Sequence, residues 1–436
     1  MIGVLATCLV LYALVVRSVR YRKLRTTLWK FSRGDLEKMT PYVAQQIVHV
    51  SFLYDTPYTM LMGTRVALFK VYGIRSIASV LLKSGELTSK EDEKINKRLA
   101  DTAILIATAL SNPVLGPGSG CPVTTPDSDP RSAIAIARIN YLHKKYNIRN
   151  DDFLYNLSLF MIEPIKFTEK YDWRPHSPLE IQARFKAIFV LWTEVGRRMG
   201  IQNIWNSYEE MVEWANVGKN PSSSGDYILM SNSFCDIHQQ QYELDNMIPS
   251  EESQKLARVT LEHFLSRVPR IPGLRGLVLQ IFTTLLDART RNAMGLSEPA
   301  PTIVKLVHGI FALRAFLVRN FMLPRWKPSL WVKLDSTHKL DEVGVPRIPA
   351  AFKRREGPWY YPEATGLWHL KDRILVSLGL QNAHKLPGKR WRSEGYRLEE
   401  LGPVRFEKSG HREVMEEAQQ IQGCPIAGMW GPPRDS

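Results

Sequence analysis

Apolar residues recur at intervals of three and four along most of this chain, which is the spacing of one face of an α-helix. Charged residues occupy the opposite face in each of three successive stretches: DLEKMTPYVAQQIVHVSFLYD, TMLMGTRVALFKVYGIRSIASVLLKSGEL and SKEDEKINKRLADTAILIATALSN. Similar stretches follow beyond residue 130, and no series of alternating apolar and polar residues indicates a sheet. The pattern predicts an all-α protein built on a single large helical domain.

Two stretches depart from this pattern. NPVLGPGSGCPVTTPDSDP is rich in Gly, Pro, Ser and Asp, and it predicts a loop. Its GPGSG is not a nucleotide-binding fingerprint, because no strand precedes it. From residue 323 onward, prolines and aromatic residues accumulate and predict an irregular Pro/Trp-rich carboxyl-terminal arm with short helices, packed on the helical domain. We therefore divide the chain at 1–34, 35–322 and 323–436.

Segment 1–34 has the pattern of a membrane anchor. It opens with the uncharged apolar run MIGVLATCLVLYALVV, followed between Arg17 and Arg33 by seven basic residues and no acidic one. Nearly half of the net charge of +15 lies there, which favours a membrane over a nucleic acid as partner. A cleaved signal peptide carries its positive charge before the apolar run, not after it. We predict one transmembrane helix with a lumenal amino terminus and a cytosolic body; an interfacial helix that does not span is the alternative.

A second apolar stretch, TIVKLVHGIFALRAFLVRNF, predicts a long helix near the end of the helical domain. Four charged or titratable residues interrupt it, namely Lys305, His308, Arg314 and Arg319. Such residues are costly in the hydrocarbon core of a bilayer. We interpret this stretch as a core helix or a membrane-surface helix, not as a second span.

Several chemistries lack their motifs in this chain. The four cysteines are widely spaced without a CxxC pair, which argues against a disulfide scaffold or a structural zinc site and fits a reducing compartment. No GxxxxGK, GxSxG or HExxH motif occurs, nor the Glu-x-x-His pairs of di-iron carboxylate proteins. Cys235 and His238, in CDIH, have a possible ligand spacing but no second pair.

One histidine occupies an unusual position. In AIAIARINYLHKKY the apolar stripe includes Ala135, Ile139 and Leu142, and His143 follows Ile139 by four residues, next to that stripe. A neutral imidazole in such a place suits a metal or haem iron, and a buried histidine with a hydrogen-bond partner fits equally well. A b-type haem needs only one proximal imidazole and an apolar pocket.

Four stretches carry a resemblance to a known family: KRLADTAILIATAL, DPRSAIAIARINYLHKKYNIRNDDFLYNLSLFMIEPIKF, GYRLEELGPVRFEKSGHREV and QGCP. They resemble the fungal ER-bound oxygenases of the mycophenolic acid pathway type. The same catalytic domain occurs in bacterial latex-clearing protein, the rubber oxygenase. The resemblance covers roughly residues 35–430 and includes the amino-terminal anchor. It implies that 35–322 is a helical haem oxygenase domain with haem b as its cofactor.

The resemblance assigns roles to individual residues. By its position in ARINYLH, His143 would be the axial ligand of the haem iron. Arg98 and Thr102 reproduce an Arg-x-x-x-Thr spacing that lies near the distal face in the rubber oxygenases. Those enzymes place a lysine three residues after the arginine, where this chain has Asp101, so a lysine that caps the iron is not expected here. The catalytic base is not assigned.

Two of these residues have ordinary alternatives. Arg98 would pair with Asp101 on the surface of its helix. Arg138, five residues before His143, would meet a haem propionate as a charge-assisted pair. The alternatives for Arg138 are exposure to solvent or a salt bridge with Asp151 or Asp152.

The function implied by the resemblance is that of an O2-dependent oxygenase on the endoplasmic reticulum membrane. It would cleave a C=C bond in the prenyl (farnesyl) chain of a meroterpenoid intermediate, such as a farnesylated phthalide, and leave carbonyl products. Its partners would be this hydrophobic substrate, O2 and membrane lipid, without nucleic acid and without an obligate protein partner. Two alternatives remain: an oxygenase of the same fold that acts on another unsaturated lipid, and a non-catalytic, membrane-tethered lipid-binding protein.

Overall fold

The computed structural model describes most of the chain, in ranges separated by gaps. The described residues are 2–22, 26, 39–88, 92–114, 129–173, 178–207, 210–211, 240–265, 268–269, 271–330, 332, 339–340, 346–351, 357–378, 381, 383–426 and 430. Helices dominate these ranges, and the prediction of an all-α fold is confirmed. The predicted GPGSG loop and the CDIH pair lie outside the described residues.

The chain forms two compact units, each made of two separate stretches. The first unit comprises Met1–Ser84 and Ile148–Ser329, and the second comprises Gly85–Asn147 and Leu330–Ser436. The boundary predicted at residue 323 lies close to the start of the last stretch. Residues 85–147, which the sequence analysis kept with the other helices, instead group with the carboxyl-terminal part. The reason is a set of buried polar contacts to that part, described below.

Helices are numbered in chain order across both units. Those of the first unit are α1 (Ile2–Arg20), α2 (Pro41–His49), α3 (Pro57–Lys70), α4 (Arg75–Lys83), α7 (Asn150–Tyr171), α8 (Pro178–Arg198), α9 (Gln240–Asn246), α10 (Glu251–Leu265), α11 (Leu274–Thr283), α12 (Ala288–Ala293) and α13 (Pro301–Phe321). A π-helical turn, Val50–Asp55, follows α2, and a 3-10 turn, Val71–Gly73, separates α3 from α4. That turn divides a stretch that the sequence pattern predicted as one helix.

The core of the first unit forms around the contact between α3 and α7. Their backbones touch at Gly63, where a Cβ atom would lie 2.4 Å from the Cα atom of Pro164. One turn further on, Val66 and Phe69 pack with Phe167 in an apolar cluster. The buried Lys70 ammonium ends α3 among three carboxylates, those of Glu163 (3.2 Å), Glu243 (3.1 Å) and Asp287 (3.0 Å). These contacts fix the helix pair, since a buried lysine needs its partners to remain charged.

Two helices of the first unit bear on the predicted membrane association. α1 spans the predicted anchor and exposes apolar side chains, including Leu9, Val10 and Leu14. α13 is, among the described residues, the one helix long and apolar enough to cross a membrane by length and composition. Only 11% of its apolar stretch is buried, so the core interpretation of this helix is wrong.

The second unit contains α5 (Asp92–Ser111), α6 (Arg131–His143), α14 (Leu367–Ser377) and α15 (His411–Gln422). Its two short strands, β1 (Lys339–Leu340) and β2 (Pro346–Arg347), pair antiparallel. Four 3-10 turns complete it, at Ala383–Lys385, Lys389–Trp391, Leu398–Glu400 and Val404–Phe406. α6 packs against both α5 and α15 and buries eight successive residues, from Arg131 to Arg138, so it is the central helix of this unit.

Two glycines allow residues 401–410, which we call the carboxyl-terminal segment, to approach α6 closely. Gly410, with φ of 73°, lies where a Cβ atom would be 2.2 Å from the ring of Tyr141. At Gly402, with φ of 125°, a Cβ atom would lie 2.9 Å from the side chain of Leu142. Both positions combine a backbone conformation that favours glycine with a space too small for a side chain. The segment therefore packs directly on the two residues that precede His143.

Candidate active site

The antiparallel contact between α5 and α6 brings two of the predicted site residues together. The Ser132 hydroxyl, near the start of α6, donates a hydrogen bond to the Ala109 carbonyl near the end of α5 (3.0 Å). Eleven residues further along α6 lies His143, and eleven residues back along α5 lies Arg98. Since the two helices run in opposite directions, residues at equal distances along the two helices from the Ser132–Ala109 contact also face each other. Arg98 is accordingly the charged group that acts on His143.

His143 is the last residue of α6, and its Nδ1 atom is buried. Burial, and to a smaller extent the positive charge of Arg98, together lower the pKa of the imidazole from its ordinary value of 6.5 to about 4. Both effects disfavour the protonated ring. The side chain is therefore neutral at physiological pH, which is the form in which imidazole binds a metal ion.

Arg98 and Thr102 lie one helical turn apart on α5, and both are partly exposed. The predicted surface pair between Arg98 and Asp101 is wrong, because Asp101 is buried and faces other partners. Its carboxylate accepts hydrogen bonds from the Lys97 ammonium (2.6 Å), the Tyr360 hydroxyl (2.8 Å) and the backbone N–H of Gly402 (2.9 Å). The Arg98 and Thr102 side chains thus form a partly exposed stripe on α5, next to the buried stripe that contains Lys97 and Asp101.

Lys97 is a buried residue that the sequence analysis missed. Besides Asp101, its ammonium contacts the Gly402 carbonyl (2.7 Å) and the Glu407 carboxylate (2.8 Å). The i,i+4 spacing of Lys97 and Asp101 was visible in the sequence, but such pairs usually lie on helix surfaces. Burial raises the pKa of Asp101, and the charge of Lys97 opposes that shift. This network joins α5 to the carboxyl-terminal segment and explains why residues 85–147 group with it.

The environment of Arg138 differs from the predicted exposure to solvent and from the predicted salt bridge with Asp152. Arg138 is fully buried, which rules out exposure to solvent, and Asp152 pairs with Arg149 instead (2.9 Å). Its three guanidinium nitrogens donate to three backbone carbonyls: Leu401 (2.6 Å), Phe406 (2.8 Å) and Ser409 (3.0 Å). The structure thus assigns Arg138 to holding the carboxyl-terminal segment on α6. These contacts lend the predicted propionate role no support.

The donor set at His143 fits one kind of cofactor in particular. No group of three or more His, Cys, Asp or Glu residues that could hold a metal ion occurs in the part of the chain that the structure describes. One neutral imidazole is the protein ligand that a b-type haem requires. A guanidinium and a hydroxyl, on Arg98 and Thr102, stand on the neighbouring helix. The neutral imidazole of His143 therefore fits a haem.

No protein-family model matches the chain. It is similar over 440 residues to the ER-bound oxygenase mpaB' of Penicillium brevicompactum, with 28% identity, covering 96% of this chain and 92% of that protein. The ER-bound oxygenase mpaB of Penicillium roqueforti (strain FM164) is 29% identical over 66% of this chain and 87% of its own length. Another mpaB of Penicillium brevicompactum is 27% identical over 83% of this chain and 87% of its own length. The resemblance to the fungal ER-bound oxygenases is thereby confirmed.

Proposed function

We propose that this mpaB-like chain is a membrane-bound, haem-dependent oxygenase in which His143 would hold the haem iron. The observation that carries the proposal is the neutral imidazole of His143 on α6, which lies close to Arg98 on the neighbouring helix α5 of the second unit. The names of the relatives, ER-bound oxygenases, support the coarser part of the proposal, an oxygenase at the endoplasmic reticulum membrane.

The residues of the chain have separable tasks in this proposal. A b-type haem, when bound, supplies an iron that reacts with O2. His143 offers a nitrogen lone pair down to about pH 4, since its pKa lies that low. Arg98 and Thr102 offer a guanidinium and a hydroxyl one helical turn apart, and such fixed donors stabilise negative charge that develops on oxygen. Lys97, Asp101 and Arg138 hold the carboxyl-terminal segment against the two helices.

The substrate we propose is a prenylated small molecule, specifically the farnesyl chain of a meroterpenoid intermediate such as a farnesylated phthalide. Cleavage of one C=C bond by one O2 places one oxygen atom on each carbon and yields two carbonyl groups. Each methylene of such a chain favours the bilayer by about 0.8 kcal/mol, so the substrate concentrates in the membrane. An enzyme anchored by α1, with its body in the cytosol, meets the substrate there.

Purified full-length protein tests the proposal. We expect a strong Soret band, about one haem per chain, and consumption of O2 with release of carbonyl fragments when a farnesylated phthalide is added. If the haem-loaded protein consumed O2 only with other unsaturated lipids, the oxygenase assignment would stand and the proposed substrate would be wrong. A folded, colourless protein that binds the prenyl chain without consuming O2 would replace the oxygenase with a lipid-binding protein.

A further inference from the structure

One face of α13 is fixed to the first unit. Val307 is buried, and Phe311 packs against the apolar cluster that includes Phe167. The Tyr171 hydroxyl lies 3.3 Å from the Nε2 atom of His308. Arg314 lies 3.5 Å from the buried carboxylate of Asp172. These contacts lie along the helix from Val307 to Arg314, so this part of α13 rests lengthwise on the unit and does not project from it.

Beside this fixed face, α13 exposes a row of apolar side chains. Leu306, Ile310, Leu313 and Leu317 follow one another at intervals of four, three and four residues, which places them in one stripe along the helix. Their exposed fractions are 50%, 56%, 58% and 43%, and the neighbouring Phe316 is 55% exposed. We call these five side chains the α13 apolar face. A row of large exposed apolar residues of this length marks an interaction surface.

The charges on α13 suit an anionic lipid surface. The helix contains three basic residues and no acidic one, and two of the basic residues, Lys305 and Arg319, are exposed near its two ends. Trp326, 68% exposed, lies just beyond the helix. A helix with a basic polar part and an apolar face rich in Leu and Phe is typical of those that lie in the plane of a membrane surface.

The carboxyl-terminal end of α13 adjoins the anchor helix. The Tyr12 hydroxyl on α1 donates to the carbonyl of Phe321 at the end of α13 (3.0 Å). The Arg17 guanidinium donates to the side-chain carbonyl of Asn320 (3.0 Å). Arg20, at the end of α1, donates to the carbonyl of Met322. The carboxyl-terminal end of α13 therefore lies at the level where the apolar run of α1 meets its basic residues.

We propose that the α13 apolar face docks on the lipid bilayer as a second membrane contact, lying in the headgroup region beside α1. The proposal rests on the anchor assigned under the proposed function, because α1 fixes the level of the membrane. If residues 2–16 lie in the bilayer, the carboxyl-terminal end of α13, which contacts Tyr12 and Arg17, lies at the surface of the bilayer. The contacts of α13 with α7 then keep the helix flat on that surface. A second copy of the chain is the competing occupant.

Nitroxide labels on the full-length protein in phosphatidylcholine–phosphatidylserine vesicles test the proposal. The four native cysteines are changed to serine, and a single cysteine is introduced as Ile310→Cys, Leu313→Cys, Val10→Cys or Lys255→Cys. Val10 reports on the anchor, and Lys255 is an exposed polar position on α10 of the same unit. Collisions of each label are measured with O2, which dissolves in lipid, and with a nickel chelate, which stays in water.

We expect the ratio of the O2 collision rate to the nickel collision rate to be several-fold higher for the labels at 310 and 313 than for the label at 255. A water-like ratio at 310 and 313 with a lipid-like ratio at 10 would overturn the docking of α13 and leave the anchor intact. Lipid-like ratios at 310 and 313 with a water-like ratio at 10 would support this docking and contradict the anchor. Low collision rates with both reagents, together with spin–spin broadening, would overturn the proposal in favour of a second copy.

Discussion

Lys97 and Asp101 form a buried ion pair of 2.6 Å on α5, and Arg98 and Thr102 occupy the adjacent stripe of the same helix. The two pairs are offset by a single residue, so the rotation of α5 that buries the first pair also sets the direction of the second. The buried pair is held in turn by Gly402, whose N–H and carbonyl bond to the carboxylate and the ammonium. The carboxyl-terminal segment therefore helps to orient Arg98 and Thr102.

Removing the Lys97 ammonium should destabilise the protein strongly. Lys97→Met leaves the carboxylates of Asp101 and Glu407 without their shared cation, and breaking a buried pair from one side costs about 3–5 kcal/mol. The double variant Lys97→Met/Asp101→Leu should recover part of that loss, because no buried charge of the pair remains. Urea unfolding of the three proteins measures this. Equal stability of Lys97→Met and the native protein would contradict the buried network.

Arg138 should matter for folding and not for haem. Arg138→Met releases three backbone carbonyls from their donors and should lower the free energy of unfolding by several kcal/mol, about 1–3 kcal/mol for each unsatisfied group. Arg138→Lys should recover little, because an ammonium cannot reproduce the planar fork of the guanidinium. The folded fraction of either variant should retain haem in the native ratio. Loss of haem from stably folded Arg138→Lys would restore the predicted propionate contact.

The helical periodicity predicted the fold class well because burial of an apolar stripe determines where helices form. It did not predict that residues 85–147 group with the carboxyl-terminal part, since that association depends on buried polar contacts. Lys97 and Arg138 both bond groups more than 250 positions away, and such partners leave no periodic trace in a sequence. The proximity of Arg98 to His143 could not be predicted either, because it depends on the antiparallel register of two helices that are separated in the sequence by an irregular stretch.

The depressed pKa of His143 makes an acid-dependent stability prediction for haem-free protein. Between pH 6.5 and about 4 the unfolded chain binds a proton at this ring and the folded chain does not. Stability therefore falls as pH falls through that interval, by about 2 kcal/mol between pH 7.5 and pH 5 from this group. His143→Gln, which does not titrate, should show a correspondingly smaller difference in urea unfolding. Identical pH dependence of the two proteins would contradict a buried neutral His143.

Arg98 and Thr102 should affect turnover more than cofactor binding. Arg98→Ala or Thr102→Ala should retain haem and slow the oxygenase reaction by ~10²-fold, the order expected when one preorganised donor is removed. Arg98→Ala should also raise the pKa of His143, because it removes the positive charge that opposes protonation. Lys94→Ala, an exposed change one turn earlier on α5, is the control and should leave turnover unchanged. Full activity in both site variants would remove these residues from the active site.

The haem content of folded His143→Ala tests the central claim most directly. His263 provides a control, because it is a buried histidine on a helix but lies in the first unit, on α10. Either substitution should cost a few kcal/mol through the cavity that it leaves, so haem is measured per folded molecule on the monodisperse fraction of each protein. We predict that native protein and His263→Ala carry about one haem per chain and that His143→Ala carries almost none. A folded His143→Ala protein with undiminished haem would contradict the account, whatever its activity.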